Sequence, residues 1–590
     1  MTCPACGAQA ADDARFCASC GRALRQAEDE RRVVTVVFGD LVGFTSLSER
    51  LDPERVKNLV DACFDRLAED VRSFGGQVDK IIGDAIVALF GATTAHEDDP
   101  ERAVRAALAM QATLRQEAEA VGQGLQMRIG INTGEVLVGA MRAAGSVTAM
   151  GDVVNTASRL QTAAAPGEVL VGPATHAATF HTIAYEARGR LDAKGRDEPV
   201  ETWSAVMPTL PPGYRVRRVD VPLVGRDREL AVLRSSIEAS IQHRRPMLAL
   251  VVGDVGLGKS RLADETTASL ARTHEAIVRE GRCVPYGEAN VWWPVADALR
   301  GGLRVPEGSS AEVAGDQVRD EVGAAMDRPT TDPEVGRTAD GLLTLLGYDA
   351  PGDADPVAVR QEAGRALAVY ASAVARSRPL VLQISDLHWA DPAVLELVDD
   401  VFAAIGHLPV VMVATARPSL LDQWMPRPGR HNALTLHLDP LDHDAAIELL
   451  DHLVGSPVDR AVADALFERS GGNPFFLEEL VSLLDGEAAS EPGRVAALPD
   501  TLRGLVSARL DDLSPGVRGV LQDASVIGQN GPMSGLAEMA RHLGRGIDAD
   551  EAMAALVADE IMELDGDRWR FRSDLVREVA YQTVTKSERA

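Results

Sequence analysis

Residues 247–260 read M-L-A-L-V-V-G-D-V-G-L-G-K-S. Met247–Val252 is a short apolar run of strand length. The G-x-x-x-x-G-K-S loop that follows, from Gly253 to Ser260, passes directly into the helical pattern R-L-A-D-E. Glycines at Gly253, Gly256 and Gly258 let backbone N–H groups turn inward around phosphate oxygens. Lys259 then reaches the β- and γ-phosphates and Ser260 a magnesium ion. Strand, cradle and helix in that order define an α/β unit that holds a nucleoside triphosphate.

Outward from the cradle, P-L-V-G-R-D-R-E-L precedes it and G-R-C-V-P-Y-G-E-A-N-V-W-W-P-V follows. Pro379–Asp391 is an apolar strand ending in polar residues, and Pro409–Pro418 is another, ending at Arg417. Gly471–Leu480 opens a helix. The Gly/Asp/Glu-rich stretch 306–336 is expected to be a loop with fraying helices. Upstream, Met207–Asp220 is Pro-rich and basic and reads as a linker. A second α/β pattern precedes it, opening with the strand Val33–Phe38. Beyond residue 437 the pattern is mostly helical, with a short strand pair near 561–572.

The chain has 590 residues, which at roughly 150 per domain suggests about four domains. A 46% hydrophobic and 25% charged composition excludes a wholly disordered chain. Sixty basic against 88 acidic residues leave a net charge of -28, which repels phosphate backbones and argues against broad nucleic-acid binding. No apolar run approaches the ~20 residues that cross a bilayer, and the N-terminus lacks the basic-then-apolar pattern of a signal peptide. The expectation is a soluble, cytoplasmic protein without a membrane partner.

Four of the six cysteines, Cys3, Cys6, Cys17 and Cys20, form two C-x-x-C pairs, each followed by glycine. Each pair turns both sulfurs toward one point, and two such turns make a tetrathiolate that suits structural zinc. A redox or disulfide pair is the alternative, disfavoured in a reducing cytosol. The arrangement resembles a zinc ribbon. Cys63 and Cys283 stand alone in apolar patterns and are expected to be buried packing residues.

In the second α/β pattern, Val33–Phe38 delivers Asp40 at a strand end. Val78–Ile82, Gly83-Asp84 and Ala85–Phe90 read as a hairpin with Asp84 at its tip. Two such carboxylates can converge on divalent cations, although the same pattern suits solvated turn carboxylates. The surrounding motifs decide between them. F-G-D-L-V-G-F-T-S-L-S-E, K-I-I-G-D-A-I-V-A-L-F, M-R-I-G-I-N-T-G-E-V-L-V-G and M-G-D-V-V-N-T-A-S-R-L occur in order over about residues 32–206. Together they resemble the class III nucleotidyl cyclase domain.

That resemblance implies a βαββαβ-type, ferredoxin-like sheet and active sites formed between two domains. A single cyclase domain per chain then implies a homodimer with two composite sites. It makes Asp40 and Asp84 the ligands of two Mg²⁺ or Mn²⁺ ions, and Lys80 the reader of the base. Arg128 contacts the triphosphate, Asn155 orients the ribose and Arg159 stabilises the transition state. Lys194 meets the terminal phosphate. Spacing i, i+4 independently puts Asn155 and Arg159 on one helix face. Lys80 donates to adenine N1, and Thr148, where aspartate is frequent, can accept from N6. The pair resembles the class IIIb adenylate cyclases, some of which respond to bicarbonate, and favours ATP over GTP. Asn132 stands where histidine is common, with no loss of activity expected.

The cradle and its neighbouring strands resemble the signal-transduction ATPases with numerous domains, of the bacterial cyclase–ATPase, AAA-like type. The match makes Arg417 a γ-phosphate sensor and Pro474 the residue that packs on the adenine of a bound ATP. Matching ATPases end the strand before L-H-W-A-D in two acidic residues; here the pair is Ser385-Asp386, which implies ATP binding with slow hydrolysis. Residues 498–590 resemble the winged-helix portion that follows such modules, and their lack of basic charge favours an intramolecular clamp over DNA binding. The resemblance implies helical repeats beyond it, so a chain ending at Ala590 reads as a short form or a truncated one.

The implied architecture is a multidomain α/β chain. It comprises a zinc ribbon (1–24), a cyclase domain (30–206), a linker (207–220), a P-loop NTPase domain (221–437), a helical lid (438–490) and a winged-helix C-terminal region (495–590). The implied activity is conversion of ATP to cyclic AMP and pyrophosphate, regulated by the fused ATP-binding module. The alternatives are an ATP-dependent scaffold with a retired cyclase domain, or a transcription regulator.

Overall fold

The structure, a computed structural model, describes residues 30–42, 53–96, 98–121, 126–140, 147–191, 199–212, 221–284, 291–305, 309–348, 356–426, 432–484, 500–543, 545–559 and 561–584. Cys3, Cys6, Cys17, Cys20, Lys194 and most of the expected linker lie outside these residues. The chain divides into two compact units, one of Met1–Arg218, Glu468–Gly471 and Ser482–Ala590, the other of Val219–Phe467 and Gly472–Val481.

The first unit begins with β1 (Glu30–Val42), whose V-V-T-V-V-F centre is rich in the β-branched residues that suit a pleated surface. Next come α1 (Pro53–Ser73), β2 (Gln77–Ile82), β3 (Ala85–Phe90), α2 (Asp99–Val121), β4 (Gln126–Ala140), β5 (Val147–Met150) and α3 (Asp152–Ala163). β6 (Val169–Val171), α4 (Pro173–Thr179), β7 (Ile183–Leu191) and β8 (Val200–Pro208) complete this part. The sheet order is β2-β3-β1-β4-β6-β8-β7, with β5 paired to β4. Its first four strands with α1 and α2 make the expected βαββαβ arrangement. On one face Phe64, Leu67, Val104 and Met110 pack against Val37 and Ile129; on the other, Ala157 joins Val34, Val36 and Val87. Cys63 is buried, as its apolar setting predicts. β8 extends through Pro208, so the strand overlaps the start of the expected linker.

The second unit comprises α5 (Asp227–Gln242), β9 (Met247–Val252), α6 (Lys259–His274), β10 (Ile277–Arg282), α7 (Trp293–Leu303), α8 (Ala311–Met326), α9 (Pro333–Leu345) and α10 (Pro356–Ser377). It continues through β11 (Leu380–Ser385), α11 (Pro392–Ala404), β12 (Val410–Ala416), α12 (Leu420–Gln423), β13 (Asn432–His437) and α13 (His443–Val454); α14 (Arg460–Ser470) and α15 (Pro474–Leu484) follow, the last three residues of each being assigned to the first unit. Its sheet is wholly parallel, in the order β10-β11-β12-β9-β13. Cys283 is buried here.

Within the stretch 306–336 the described residues, from 309 on, correct the loop expectation, because α8 and α9 are well-formed helices. Ser310 Oγ accepts from the Val313 N–H at 3.4 Å and Asp332 Oδ1 from the Glu334 N–H at 2.8 Å, capping the two N-termini. Val318, Val322, Val335, Leu342 and Leu345 are fully buried. The polar composition lies on the opposite faces, and the helices are held by packing more than by propensity.

The first unit closes with α16 (Asp500–Asp511), α17 (Pro515–Ile527), β14 (Asn530–Pro532), α18 (Met533–His542), α19 (Ala549–Ala558), β15 (Met562–Asp565), β16 (Arg568–Phe571) and α20 (Asp574–Thr583). β15 and β16 are the strand pair expected near 561–572, and β14 joins them around the fully buried Trp569. This region packs on the start of β1 through charge. Arg32 donates to both carboxylate oxygens of Asp511, at 2.8 and 2.9 Å, and to Glu30 at 3.1 Å. Arg518 bonds both Asp511 and Glu30, and the Ala95 N–H donates to Asp511 at 2.8 Å. Arg503 pairs with Glu135.

All four members of the central cluster are buried. Burial alone would raise the Asp511 carboxyl, but Arg32 and Arg518 outweigh it and hold it below the ordinary carboxylate range. Removing Asp511 leaves two buried guanidiniums, Arg32 and Arg518, sharing only Glu30 within the cluster. Asp511→Ala is therefore expected to cost about 3–5 kcal/mol, read as an earlier urea midpoint for this unit. With the folded value depressed, the stabilisation is complete above the unfolded value of ~3.9 and is lost as pH falls through the folded value. Wild type should lose stability on acidification more steeply than the variant.

Candidate functional sites

β1 sets the first site. Asp40 lies opposite Ala85 in the β1–β3 register, and the Leu41 N–H donates to the Asp84 carbonyl at 3.0 Å. The strand end and the hairpin turn are thus side by side, as the sequence predicts. On β1's other edge, Asp40 lies opposite Arg128, whose guanidinium bonds the Asp40 carboxylate. Two carboxylates are a hard, oxygen-only donor set that fits Mg²⁺ or Mn²⁺. No cluster of three acidic, histidine or cysteine side chains accompanies them among the described residues.

Lys80 follows an irregularity in the β2–β3 pairing and is exposed, its Nζ 3.2 Å from Asp79. Ile81 and Ile82 beside it are 48% and 58% exposed, an apolar edge on the same hairpin. Thr148 lies on β5 opposite Gly139. On α3, Thr156, Ala157, Leu160 and Gln161 are buried, while Asn155 is exposed and Arg159 half-buried. Arg159 Nη1 is buried without a hydrogen-bond partner among the described residues. A Cβ on Gly130 would lie 2.1 Å from the Gln161 nitrogen and 2.3 Å from the Ala157 oxygen. Only glycine lets α3 lie this close on β4. Asn132 is buried at 7% exposure. Among the described residues, no hydrogen bond or ion pair joins Asn155 or Arg159 to Asp40 or Asp84.

The second site is the cradle between β9 and α6. Gly256 and Gly258 have φ of 84° and 87°, the left-handed backbone that turns N–H groups inward. The Lys259 ammonium donates to the Asp254 carbonyl at 2.6 Å, and Ser260 follows it in the first turn of α6. Gly253 begins the loop, with its N–H on the Ala416 carbonyl at 3.2 Å. At the end of β11, Asp386 adopts φ 59°, an uncommon conformation for a residue with a side chain, and its N–H donates to Thr415 Oγ1 at 3.1 Å. Ser385 is buried. Arg417 follows β12, its guanidinium over the Trp389 ring at 5.7 Å. Pro474 is the first residue of α15.

Two residues here escaped the sequence reading. His388 Nδ1 accepts from the Arg417 N–H at 3.4 Å. Burial, then the charges of Arg417 and Lys259, push its pKa down to about 2, so it is a neutral imidazole between two cations. Asn473 Oδ1 caps α15, accepting from Phe475 at 3.1 Å, while its amide donates to the Val255 carbonyl of the loop at 3.0 Å. Asn before Pro at a helix start is a cap signature that could have identified it. His388 carries no such mark, since its two charged neighbours, Arg417 and Lys259, come from distant segments.

Residues 2–24 match a zinc-ribbon domain, residues 27–205 the adenylate and guanylate cyclase catalytic domain, and residues 222–413 an AAA ATPase domain. An uncharacterized protein of Rhizobium meliloti is 28% identical over 95% of this chain and 55% of its own length. Adenylate cyclase 1 of the same organism is 32% identical over 30% of this chain and 28% of that protein. Guanylate cyclase soluble subunit beta-2 of Rattus norvegicus is 30% identical over 29% of this chain and 25% of that protein. The chain thus spans about half the length of the first relative and under a third of the other two.

The close approach at Gly130 is testable. Gly130→Ala meets backbone atoms that cannot yield, so it should cost on the order of 1–3 kcal/mol. A Cβ at Gly134 would meet only a Val153 methyl, at 2.9 Å, so Gly134→Ala should be milder. Urea midpoints of the two variants measure the difference.

Proposed function

We propose that this chain, which joins a nucleotidyl cyclase domain to an AAA ATPase domain, converts ATP to 3′,5′-cyclic AMP and pyrophosphate at sites shared between two copies. The supporting observation is the β1–β3 junction that sets Asp40 beside Asp84, while Asn155 and Arg159 stand on α3 with no hydrogen bond or ion pair to that pair among the described residues. One chain then offers two half-sites, and a second copy completes each. The exposed Ile81 and Ile82 supply apolar surface for that association.

Asp40 and Asp84 would hold divalent cations, which would supply positive charge for the triphosphate and lower the pKa of the ribose 3′-hydroxyl. Arg128, which bonds the Asp40 carboxylate, would turn to the triphosphate, joined by Lys194. Asn155 orients the ribose so that the 3′-oxygen attacks the α-phosphorus in line. As the new P–O bond forms, the bond to pyrophosphate breaks and the hydroxyl proton passes to solvent. Arg159 meets the charge developing on the α-phosphoryl oxygens. Lys80 donates to adenine N1 and Thr148 accepts from N6, which selects ATP over GTP.

The Asp40–Arg128 pair is also the observation that favours the second reading, a nucleotide-dependent scaffold. If Arg128 holds Asp40 too firmly for a cation to replace it, the domain binds without turnover. The three-stranded sheet and helices after residue 500 support a winged-helix reading. The use of Asp511, Arg518 and Arg503 against β1 and β4 supports a clamp within the chain over DNA binding. The three helices after β13 support the lid, and the four N-terminal cysteines a structural zinc.

Purified protein with Mg²⁺ or Mn²⁺ is expected to form cyclic AMP from ATP and little cyclic GMP from GTP. Asp40→Ala and Arg159→Ala should each lower turnover by at least a hundredfold, and mixing the two variants should restore part of it. Lys80→Glu with Thr148→Cys should shift preference toward GTP. No product from either nucleotide selects the scaffold reading, and no recovery after proven subunit exchange rejects the shared site.

The second site is proposed to hold Mg-ATP as a switch. Lys259, Ser260 and the loop amides bind the phosphates, but Ser385 removes one of two acids that would order the magnesium shell and the attacking water. In an Asp40→Ala background, single-turnover hydrolysis should be slow and should rise in Ser385→Asp. Brisk hydrolysis with Ser385 present, lost in Lys259→Ala, would refute slow turnover.

A further inference from the structure

In the second unit, α7, α10 and α11 lie over β10, β11 and β12 without filling the space beneath them. The gap is a cavity of about 60 Å³. At about 10–15 Å³ per water, it has room for roughly five waters, the span of a short acyl chain. Its walls include Leu299 from α7, Leu367 from α10, and Val401 and Phe402 from α11. The space exists because small residues, Ala298 and Ala371, stand where larger side chains would close it.

One charged side chain lines this apolar space, Arg279 of β10. It runs along α7 at Gly302, where a Cβ would lie 2.6 Å from Nε. Its hydrogen bond is to its own strand, from Nη1 to the Val278 carbonyl at 3.1 Å. No carboxylate pairs with it among the described residues, in a chain carrying 88 acidic side chains. Tyr370, 9% exposed, lines the same cavity; burial and then the charge of Glu321 of α8 raise its phenol, while the Arg279 charge works the other way. A half-buried guanidinium at the edge of an apolar cavity can pair with an anion, and the cavity gains by taking up hydrocarbon.

We propose that this cavity binds a short aliphatic monocarboxylate, with the acyl chain among Leu299, Leu367 and Phe402 and the carboxylate on Arg279. A neutral chain would leave the guanidinium without a partner, an ammonium would meet like charge, and a second carboxylate would be stranded among apolar walls. β11 contributes Leu382 and Ile384 to the cavity and ends beside Asp386, so occupancy bears on the strand that serves the nucleotide cradle.

The test is calorimetric titration of the full chain with sodium octanoate, octan-1-ol and octylammonium. Octanoate should bind one per chain and at least tenfold more tightly than octanol, with octylammonium weakest. Arg279→Gln, which keeps the walls, should lose that tenfold for octanoate and leave octanol unchanged. Ala371→Leu should weaken both, with ATP binding retained as proof that the unit is folded. Octanoate binding no tighter than octanol, unchanged binding in Arg279→Gln, or no octanoate binding at millimolar concentration would overturn the proposal.

Discussion

The hydrogen-bonded register of β1 is the constraint on which the first unit depends. β1 pairs antiparallel with β3 on one edge and along its whole length with β4 on the other. A slip of one residue would turn every side chain to the opposite face. It would take Asp40 away from the Asp84 turn and from Arg128 at one end of the strand. At the other end it would turn Arg32 away from Asp511. The two ends are therefore coupled, because one ladder positions both the carboxylate of the proposed active site and the anchor for the C-terminal helices.

That anchor is costly to build and costly to break. Four buried charges lose their hydration on folding, and they recover it only through the bidentate geometry of Arg32 on Asp511 and the second guanidinium of Arg518. Apolar residues of the same size could hold the helices as firmly. A charge network instead specifies one docking position, since any displacement leaves an unpaired charge.

In the second unit the constraint is backbone shape. Left-handed conformations at Gly256, Gly258 and Asp386 bend the loop and the strand end toward one place. Asn473 holds the loop to α15, so the cradle is braced from the helix that Pro474 begins. Lys259, Arg417 and His388 meet there, and burial, reinforced by the two cations, keeps the imidazole neutral.

Local pattern was enough for much of this. The β-branched run of β1, the hairpin over Gly83-Asp84, the apolar strand before G-D-V-G-L-G-K-S and the burial of Cys63 and Cys283 follow from short-range chemistry, and each motif identifies its own residues. The helices α8 and α9 were misjudged because their polar composition hides an apolar face that becomes decisive only when it packs. What tertiary structure alone decided is which residues meet across long separations: Arg32 with Asp511, Arg128 with Asp40, His388 with Lys259 and Arg417, and the unfilled space beside Arg279. Each depends on the free energy of desolvating charge or filling volume in a particular place, and that place does not exist until distant segments have packed.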